Sequence, residues 1–531
     1  MSEPASASET RPLNPYDELP YGGQTVPLAH PERLALHAMM RGLAPAPPDR
    51  CRVLELGCAE GGNVIPLAFH LDASEIVAVD GSAVQIERAR EVRDRLGLDN
   101  LKLVHSDILD LREDELGTFD YVLCHGVYSW VAEPVRERIL ALAQRCLAPH
   151  GVLYLSWNCA PGWAFRSLMR RALTERVRGV SEPSERIRRV REVLAWMARS
   201  PLAESPWGRL LAEEATAVWN HRDEYLVHEY LSPVNRPFHF REVIDAARSH
   251  GLAFLDELTR ATTDPRLEEE FRRNFESAVR DPVEAEELAE LFLFRAFRCS
   301  LFVRADAALG DPHPELAARI RFAAALEPES KRVSLDPGVH EFFRAGDARI
   351  SASDPWLKGA LLEIVRAWPR ALTFAEVTER TAALLEIRRV HEPGTEPDPD
   401  CFAGMRADLM ELGRLGYLEL RLRDPHVVTQ PPDAPRVSAL TRLAAERGTT
   451  ATTPHHRVVP LDPFTRLLVR YLDGARGRAE LAARMRQHVE AGEVVLSLED
   501  GQQLMPELLD EAIPKLVETS LEALASQGLL V

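Results

Sequence analysis

Between Asp49 and Ser156 the chain alternates short apolar runs with amphipathic stretches, and nothing else in it limits the fold so tightly. The apolar runs Arg52–Leu56, Ile76–Val79, Leu101–His105, Phe119–Cys124 and Gly151–Trp157 read as strands. Stretches near Asn63–Phe69, Ala83–Leu96 and Val135–Cys146 have helical periodicity. This pattern predicts an α/β, doubly wound (Rossmann-like) domain with a parallel sheet, which binds ligands outside the carboxyl ends of its strands.

The candidate binding residues gather at those ends. VLELGCAEGGN, Val53 to Asn63, closes the first strand and opens a helix. Its small residues Gly57, Ala59, Gly61 and Gly62 let the backbone approach a ligand, and the helix offers free N–H groups. A Gly-rich turn alone suits a dinucleotide almost as well. Glu55 separates the two, because a carboxylate there repels a pyrophosphate and attracts the ammonium of a methionine moiety. Asp80, at the end of the second strand, is placed to accept both ribose hydroxyl protons. Asp107 follows the third strand, where it reads either as a partner for an adenine amine or as a helix N-cap, and Ile108 offers an apolar face beside it. The expected cofactor is S-adenosylmethionine, with Cys58 and Asn63 in the turn and Gly81 after Asp80 in the same set. The fourth strand, FDYVLCHGVYSWV, delivers His125, Tyr128 and Trp130 to the ligand edge. The two aromatic residues either line an acceptor entrance or cover the sheet end.

Bulk composition removes other classes. The chain has 531 residues, enough for two to four domains, and 82 acidic against 64 basic residues give a net charge of −18. That balance disfavours nucleic acid and anionic membranes as partners. The 7 Cys residues show no CxxC and no Cys/His grouping, so no metal and no disulfide framework is expected. The polar start and the lack of any long apolar run predict a cytoplasmic protein with no membrane segment, and residues 1–12 read as a disordered tail.

Beyond Pro161 long helical periodicity carries many arginines, among them Arg166, Arg170, Arg188 and Arg191. Interleaved glutamates favour a solvated, ion-paired face over a docking surface. Residues 221–310 read as a separate small domain, and HEPGTEPDPD as an exposed loop. In the C-terminal part LLEIVRAWPRALTFAEV is echoed by LLVRYLDGARGRAEL, and each copy leads to a helix, a Gly turn and a short strand. That order predicts two winged-helix-like units. Tyr471 to Val531 holds eleven acidic and five basic residues, which favours protein contacts over DNA.

The runs NPYDELPYGGQTVPLAHPERLA, VLELGCAEGGNVIPLA, FDYVLCHGVYSWV and LAPHGVLYLSWNCAPGW together resemble the class I methyltransferases that carry a methyltransferase regulatory domain. Rickettsial outer-membrane-protein lysine methyltransferases belong to that family. YLVHEYLSPVNRPFHFREVIDAARSHGL resembles its regulatory domain, and HHRVVPLD with YLDGARGRAEL resembles its C-terminal domain. The resemblance implies a methyltransferase domain over 1–165, a helical segment suited to dimerisation over 166–220, the regulatory domain over 221–310 and the C-terminal domain over 311–531. It makes Glu55, Gly57, Ala59, Gly61, Asp80 and Asp107 cofactor contacts, and sets Tyr16, Tyr21 and His30 near the pocket mouth. Tyr128 and Trp130 match its HGVYSW turn. Gly23, Val26, Ala29 and the run Trp157 to Ala160 depart from the family pattern around the acceptor side.

Methyl transfer from a sulfonium is an in-line displacement that needs alignment and a dry site. A lysine acceptor must first lose its proton. Tyr16, Tyr128 and Trp130 would desolvate it, and His125 or Tyr128 is conceivable as a base. The reading is a protein methyltransferase acting on a side chain such as lysine, with a protein or peptide partner and a homodimer implied. A small-molecule methyltransferase, a noncatalytic cofactor-binding scaffold and a nicotinamide oxidoreductase are the alternatives.

Overall fold

A computed structural model describes residues 15–260, 264, 267–346, 348–387, 399–496 and 505–531. The expected N-terminal tail and most of the acidic loop at 391–400 lie outside the described residues. Five parallel strands, β1 (Arg52–Leu56), β2 (Glu75–Asp80), β3 (Leu101–His105), β4 (Phe119–Cys124) and β5 (Leu147–Asn158), form the first part of a seven-stranded sheet. Its order is β3-β2-β1-β4-β5-β7-β6, where β6 is Leu252–Glu257 and β7 is Phe297–Arg304. Strand order reverses between β1 and β4, which opens a crevice at their carboxyl ends.

Successive residues of the central strands enter opposite cores. Val53, Tyr121 and Tyr154 pack with helices Pro31–Met40, Val64–His70 and Ala83–Leu96, while Leu54, Val122 and Leu153 pack with Glu133–Cys146 and Phe240–Ser249. Burial on both faces is why these strands read as continuous apolar runs.

The stretch read as a separate small domain adds two strands to this same sheet. β7 runs antiparallel to β5, pairing Leu153 with Phe302 and Asn158 with Phe297, and β6 runs antiparallel to β7. β5 also begins before its predicted start at Gly151, where Leu147 pairs with Phe119 of β4. A free apolar edge on β5 would expose unpaired backbone, and β7 covers it.

Helices Ala160–Arg176, Pro183–Ala198 and Pro206–Trp219 have a satellite core that includes Phe165, Leu173, Leu194, Val218 and Tyr230. Arg188 pairs there with Glu185 and Glu192, as a solvated face requires. Arg166 instead turns inward to Glu214 at 3.1 Å.

The C-terminal part begins with β8 (Arg321–Ala323) and a small sheet of β9 (Glu327–Pro328), β10 (Glu341–Ala345) and β11 (Ala348–Ala352). Helix Pro355–Ala367, β12 (Leu372–Thr373), helices Phe374–Ile387 and Pro399–Arg414, and β13 (Glu419–Arg421) follow. β12 and β13 flank β8. The order recurs after the hairpin of β14 (Thr450–Thr452) and β15 (Val458–Pro460). Helix Pro463–Val469 leads to Asp473, bridged to Arg436, then to helices Arg478–Glu490 and Leu509–Ser526 and to Leu530, bridged to Val437. Both units are winged-helix-like.

The two ends of the chain meet. Glu32 Oε1 accepts the amides of Leu422 and Arg423 at 2.7 Å each, and Thr25 Oγ1 lies 2.7 Å from Thr452 Oγ1. Among the described residues no helix is long and apolar enough to cross a membrane, and no group of three or more His, Cys, Asp or Glu side chains is arranged to hold a metal.

Candidate functional site

The crevice at the ends of β1 and β4 deepens into a cavity of about 570 Å³. Glu55 and the turn after β1 form its floor. Gly57 has φ +81°, and a Cβ there would stand 2.3 Å from Val127 Cγ2, so the turn passes the wall with no room for a side chain. Residues 21–26 cross above it. A Cβ on Gly23 would stand 2.7 Å from the Gly62 amide nitrogen, which accounts for glycine at position 23.

Glu55 is buried, and both its oxygens accept from Asn63 Nδ2 at 3.2 Å. Burial pushes its pKa up to about 8, against the Asn63 hydrogen bond and with a smaller push from Asp80. Asp80 is held at both oxygens: Oδ2 accepts the Ala59 amide and Oδ1 the Ser82 amide, each at 2.8 Å. Burial raises its pKa despite those two bonds. Asp107 accepts the Leu109 amide at 3.0 Å as the cap of a short turn and also lines the cavity, so its two sequence readings coexist.

Of the expected residues, Tyr16, Tyr21, Glu55, Gly57, Cys58, Ala59, Asn63, Asp80, Gly81, Asp107, Ile108, His125 and Trp130 come together around this cavity. Three do not. Tyr128 turns away from it and packs on Phe238 at 5.3 Å between ring centres, because it and Trp130 leave the short Tyr128–Trp130 turn in different directions. Gly61 shapes the turn into the next helix, where a Cβ would stand 2.7 Å from Ile65 Cδ1, and stays off the cavity wall. His30 is buried below the mouth and caps helix Pro31–Met40 through the Glu32 amide at 3.1 Å. Burial lowers the His125 pKa to about 4, and its Nδ1 lies 2.8 Å from the Tyr154 hydroxyl, so the ring is a neutral wall group and a poor base.

The far wall comes from elements that the sequence reading kept apart. Helix Ala160–Arg176 supplies Trp163 and Arg166, and the segment around 225–229 supplies Tyr225, His228 and Glu229. His228 stacks on Tyr16 at 4.4 Å, meets Tyr21 edge-on at 5.6 Å, and its Nε2 lies 2.6 Å from the Leu19 carbonyl oxygen. Trp130 stands edge-on to Trp163 at 5.8 Å. Burial raises the Glu229 pKa to about 7, opposed by Arg170 and Arg166. Glu229 in turn adds to the burial that raises Tyr16 and Tyr21. The signal for this wall was the aromatic and His run YLVHEY, whose meaning depends on the edge strands that bring it here.

The donor set fits an adenosyl methyl donor. A buried carboxylate with an amide beside it suits the ammonium end, a carboxylate fixed by two backbone N–H groups suits a ribose, and no side chain crosses the tight turn between them.

Three family models match the chain: a methyltransferase domain over residues 53–151, a predicted methyltransferase regulatory domain over 222–304, and the PKMT C-terminal winged helix domain over 433–529. The uncharacterized protein RP789 of Rickettsia prowazekii is 28% identical over 533 residues, which cover 98% of this chain and 94% of that protein. RP028 of the same organism is 31% identical over 234 residues, 44% of this chain and 93% of that protein. The structure of PKMT2 from Rickettsia typhi in complex with AdoHcy superposes with a TM-score of 0.84 at 22% identity, covering 96% of this chain and 100% of that one.

Proposed function

Because the chain belongs to the class I S-adenosylmethionine-dependent methyltransferases that carry a methyltransferase regulatory domain, we propose that it methylates the side-chain amine of a protein lysine. The observation that carries this reading is Glu229, a half-buried carboxylate set in an aromatic wall of Tyr16, Tyr21, Tyr225 and Trp163 on the cavity. A lysine arrives as an ammonium. Aromatic faces attract it, and a carboxylate with a pKa of about 7 can take its proton near neutral pH.

At the donor end, Glu55 with Asn63 would bind the ammonium, Asp80 the ribose, and Asp107 with Ile108 the adenine. Bound S-adenosylmethionine supplies a methyl group on a sulfonium, open to in-line displacement by an amine lone pair. The chain's own groups hold the two reactants in line, exclude water through Trp130 and Trp163, and receive the ammonium proton at the Glu229 carboxylate. The exposed Trp196 and Trp207 on the satellite helices, with Leu202 in the turn between them, are the contact proposed for a homodimer.

The test offers labelled methyl donor with a denatured outer-membrane protein pool and with the same pool acetylated at its lysines. Label recovered as methyl-lysine in the first pool alone, reduced at least about tenfold in Glu229→Gln, is the expected result. Equal label in both pools, or label only in small molecules, refutes the protein-lysine reading.

A further inference from the structure

Asn63 joins three distant parts of the chain. Its Nδ2 donates to Glu55, its Oδ1 accepts the Val26 amide at 3.0 Å, and the same oxygen lies 2.7 Å from His456 Nε2. The Val26 amide can only donate, so the Asn63 carbonyl oxygen faces it and the imidazole, and the amino group faces Glu55. His456 must then carry its hydrogen on Nε2 and donate. Burial lowers its pKa to about 3, which keeps the ring neutral.

His456 lies in the turn between β14 and β15, 393 residues from Asn63, within the second winged-helix-like unit. Its backbone is left-handed, with φ +59°, a conformation uncommon in residues other than glycine. The ring is 1% exposed and stands 5.3 Å from that of His30. Thr452, on the same hairpin, meets Thr25, whose hydroxyl donates to the Gly62 carbonyl at 3.0 Å. The hairpin thus reaches the donor turn twice, directly through His456 and by way of Thr25 through Thr452.

We propose that His456 is a positioning residue of the methyl-donor site: it fixes the Asn63 amide, which orients Glu55, so the β14–β15 hairpin of the winged-helix unit completes that site. The strained backbone at position 456 is consistent with a side chain held where its partner requires it. The proposal concerns donor binding alone and stands or falls independently of the acceptor.

The experiment is calorimetric titration of the full chain with S-adenosylhomocysteine, comparing His456→Gln with His456→Asn. The glutamine amide reaches where Nε2 stands; asparagine tolerates the left-handed backbone as histidine does but falls short of Asn63. We expect His456→Gln to stay within about threefold of the parent and His456→Asn to bind about tenfold more weakly, the loss expected for one buried hydrogen bond. In turnover, the donor KM should rise in His456→Asn while the acceptor KM holds. Asparagine binding as well as glutamine, or both variants binding like the parent, overturns the proposal, as does equal loss in both. A variant-free check is the histidine 15N spectrum of the parent: the neutral Nε2–H tautomer at His456, shifting when S-adenosylhomocysteine is added, is expected, and the Nδ1–H tautomer overturns the proposal.

Discussion

The Ala59 amide donates to Asp80 Oδ2 across 2.8 Å, and Ala59 adopts a left-handed conformation, φ +49°, in doing so. With Oδ1 engaged by the Ser82 amide, the carboxylate has one fixed orientation before any ligand arrives. Its remaining lone pairs face the cavity, ready for two hydroxyl donors. Asp80→Ala should therefore weaken S-adenosylhomocysteine binding by about 3–6 kcal/mol, the sum of two charge-assisted hydrogen bonds. Calorimetry on the two proteins checks this, and an unchanged affinity would remove Asp80 from the donor site.

Glu55 makes donor binding a proton-linked event. Its folded pKa of about 8 lies above the unfolded carboxylate value of about 4.5, so its contribution to folding is full below the lower value and is lost as pH rises through the upper one. An ammonium bound beside it favours the ionised form and reverses the burial effect. Between about pH 5 and 8, donor binding should release up to one proton from Glu55. Titrations in buffers of different ionisation enthalpy measure that number, and Glu55→Gln should abolish the release. A parent protein that releases none would show Glu55 already ionised.

The parallel half of the sheet was legible because burial on both faces writes unbroken apolar runs into the chain, and Glu55 and Asp80 could be found because strand ends fix where their side chains go. Tyr128 and Trp130 show the limit. Both sit in one turn at the right edge, and only packing against Phe238 decides that the tyrosine points inward. Glu229 and His228 were hidden for a different reason: their approach to Tyr16 depends on β7 adding to β5, a long-range antiparallel pairing that no local pattern announces. The contact between His456 and Asn63 is longer still in sequence and leaves no local trace.

The satellite helices and the turn between the second and third leave Trp196 61% and Leu202 59% exposed, a large apolar surface for elements with a core of their own. Sedimentation velocity should find a dimer, and Trp196→Glu combined with Trp207→Glu should give a monomer that still binds S-adenosylhomocysteine. A monomeric parent at micromolar concentration would discard the dimer.

Acid should loosen the junction between the two ends of the chain. Burial first, and the Arg423 charge second, depress the His70 pKa to about 4, and its Nε2 is buried without a hydrogen-bond partner among the described residues. Its folded pKa lies below the unfolded value of about 6.5, so its stabilising contribution is complete above pH 6.5 and is lost as pH falls toward 4. His70→Leu removes both the orphan nitrogen and the proton uptake. Its melting temperature should exceed the parent's, by more at pH 5 than at pH 8. A gain independent of pH would mean that His70 does not titrate on unfolding.

Arg298, on β7, has no exposed surface and sits among three carboxylates: Glu290 and Glu286 at 2.9 Å and Glu257 at 3.6 Å. Those charges hold the guanidinium above its ordinary pKa against the effect of burial. Glu257 has other partners, since Oε1 accepts the Cys299 amide at 3.1 Å and Oε2 the Ser300 hydroxyl. Glu286 and Glu290 come from helix Pro282–Phe292, and each accepts a hydrogen bond from the guanidinium at 2.9 Å. Removing the cation alone would strand buried negative charge, so Arg298→Met should cost about 3–5 kcal/mol in urea denaturation. Neutralising the partners as well, with Glu286→Gln and Glu290→Gln on the same chain, removes the stranded charge and should recover most of that loss. If the triple variant is no more stable than Arg298→Met, the arginine acts by packing against Phe240, 4.3 Å from the ring centre, and not by balancing charge.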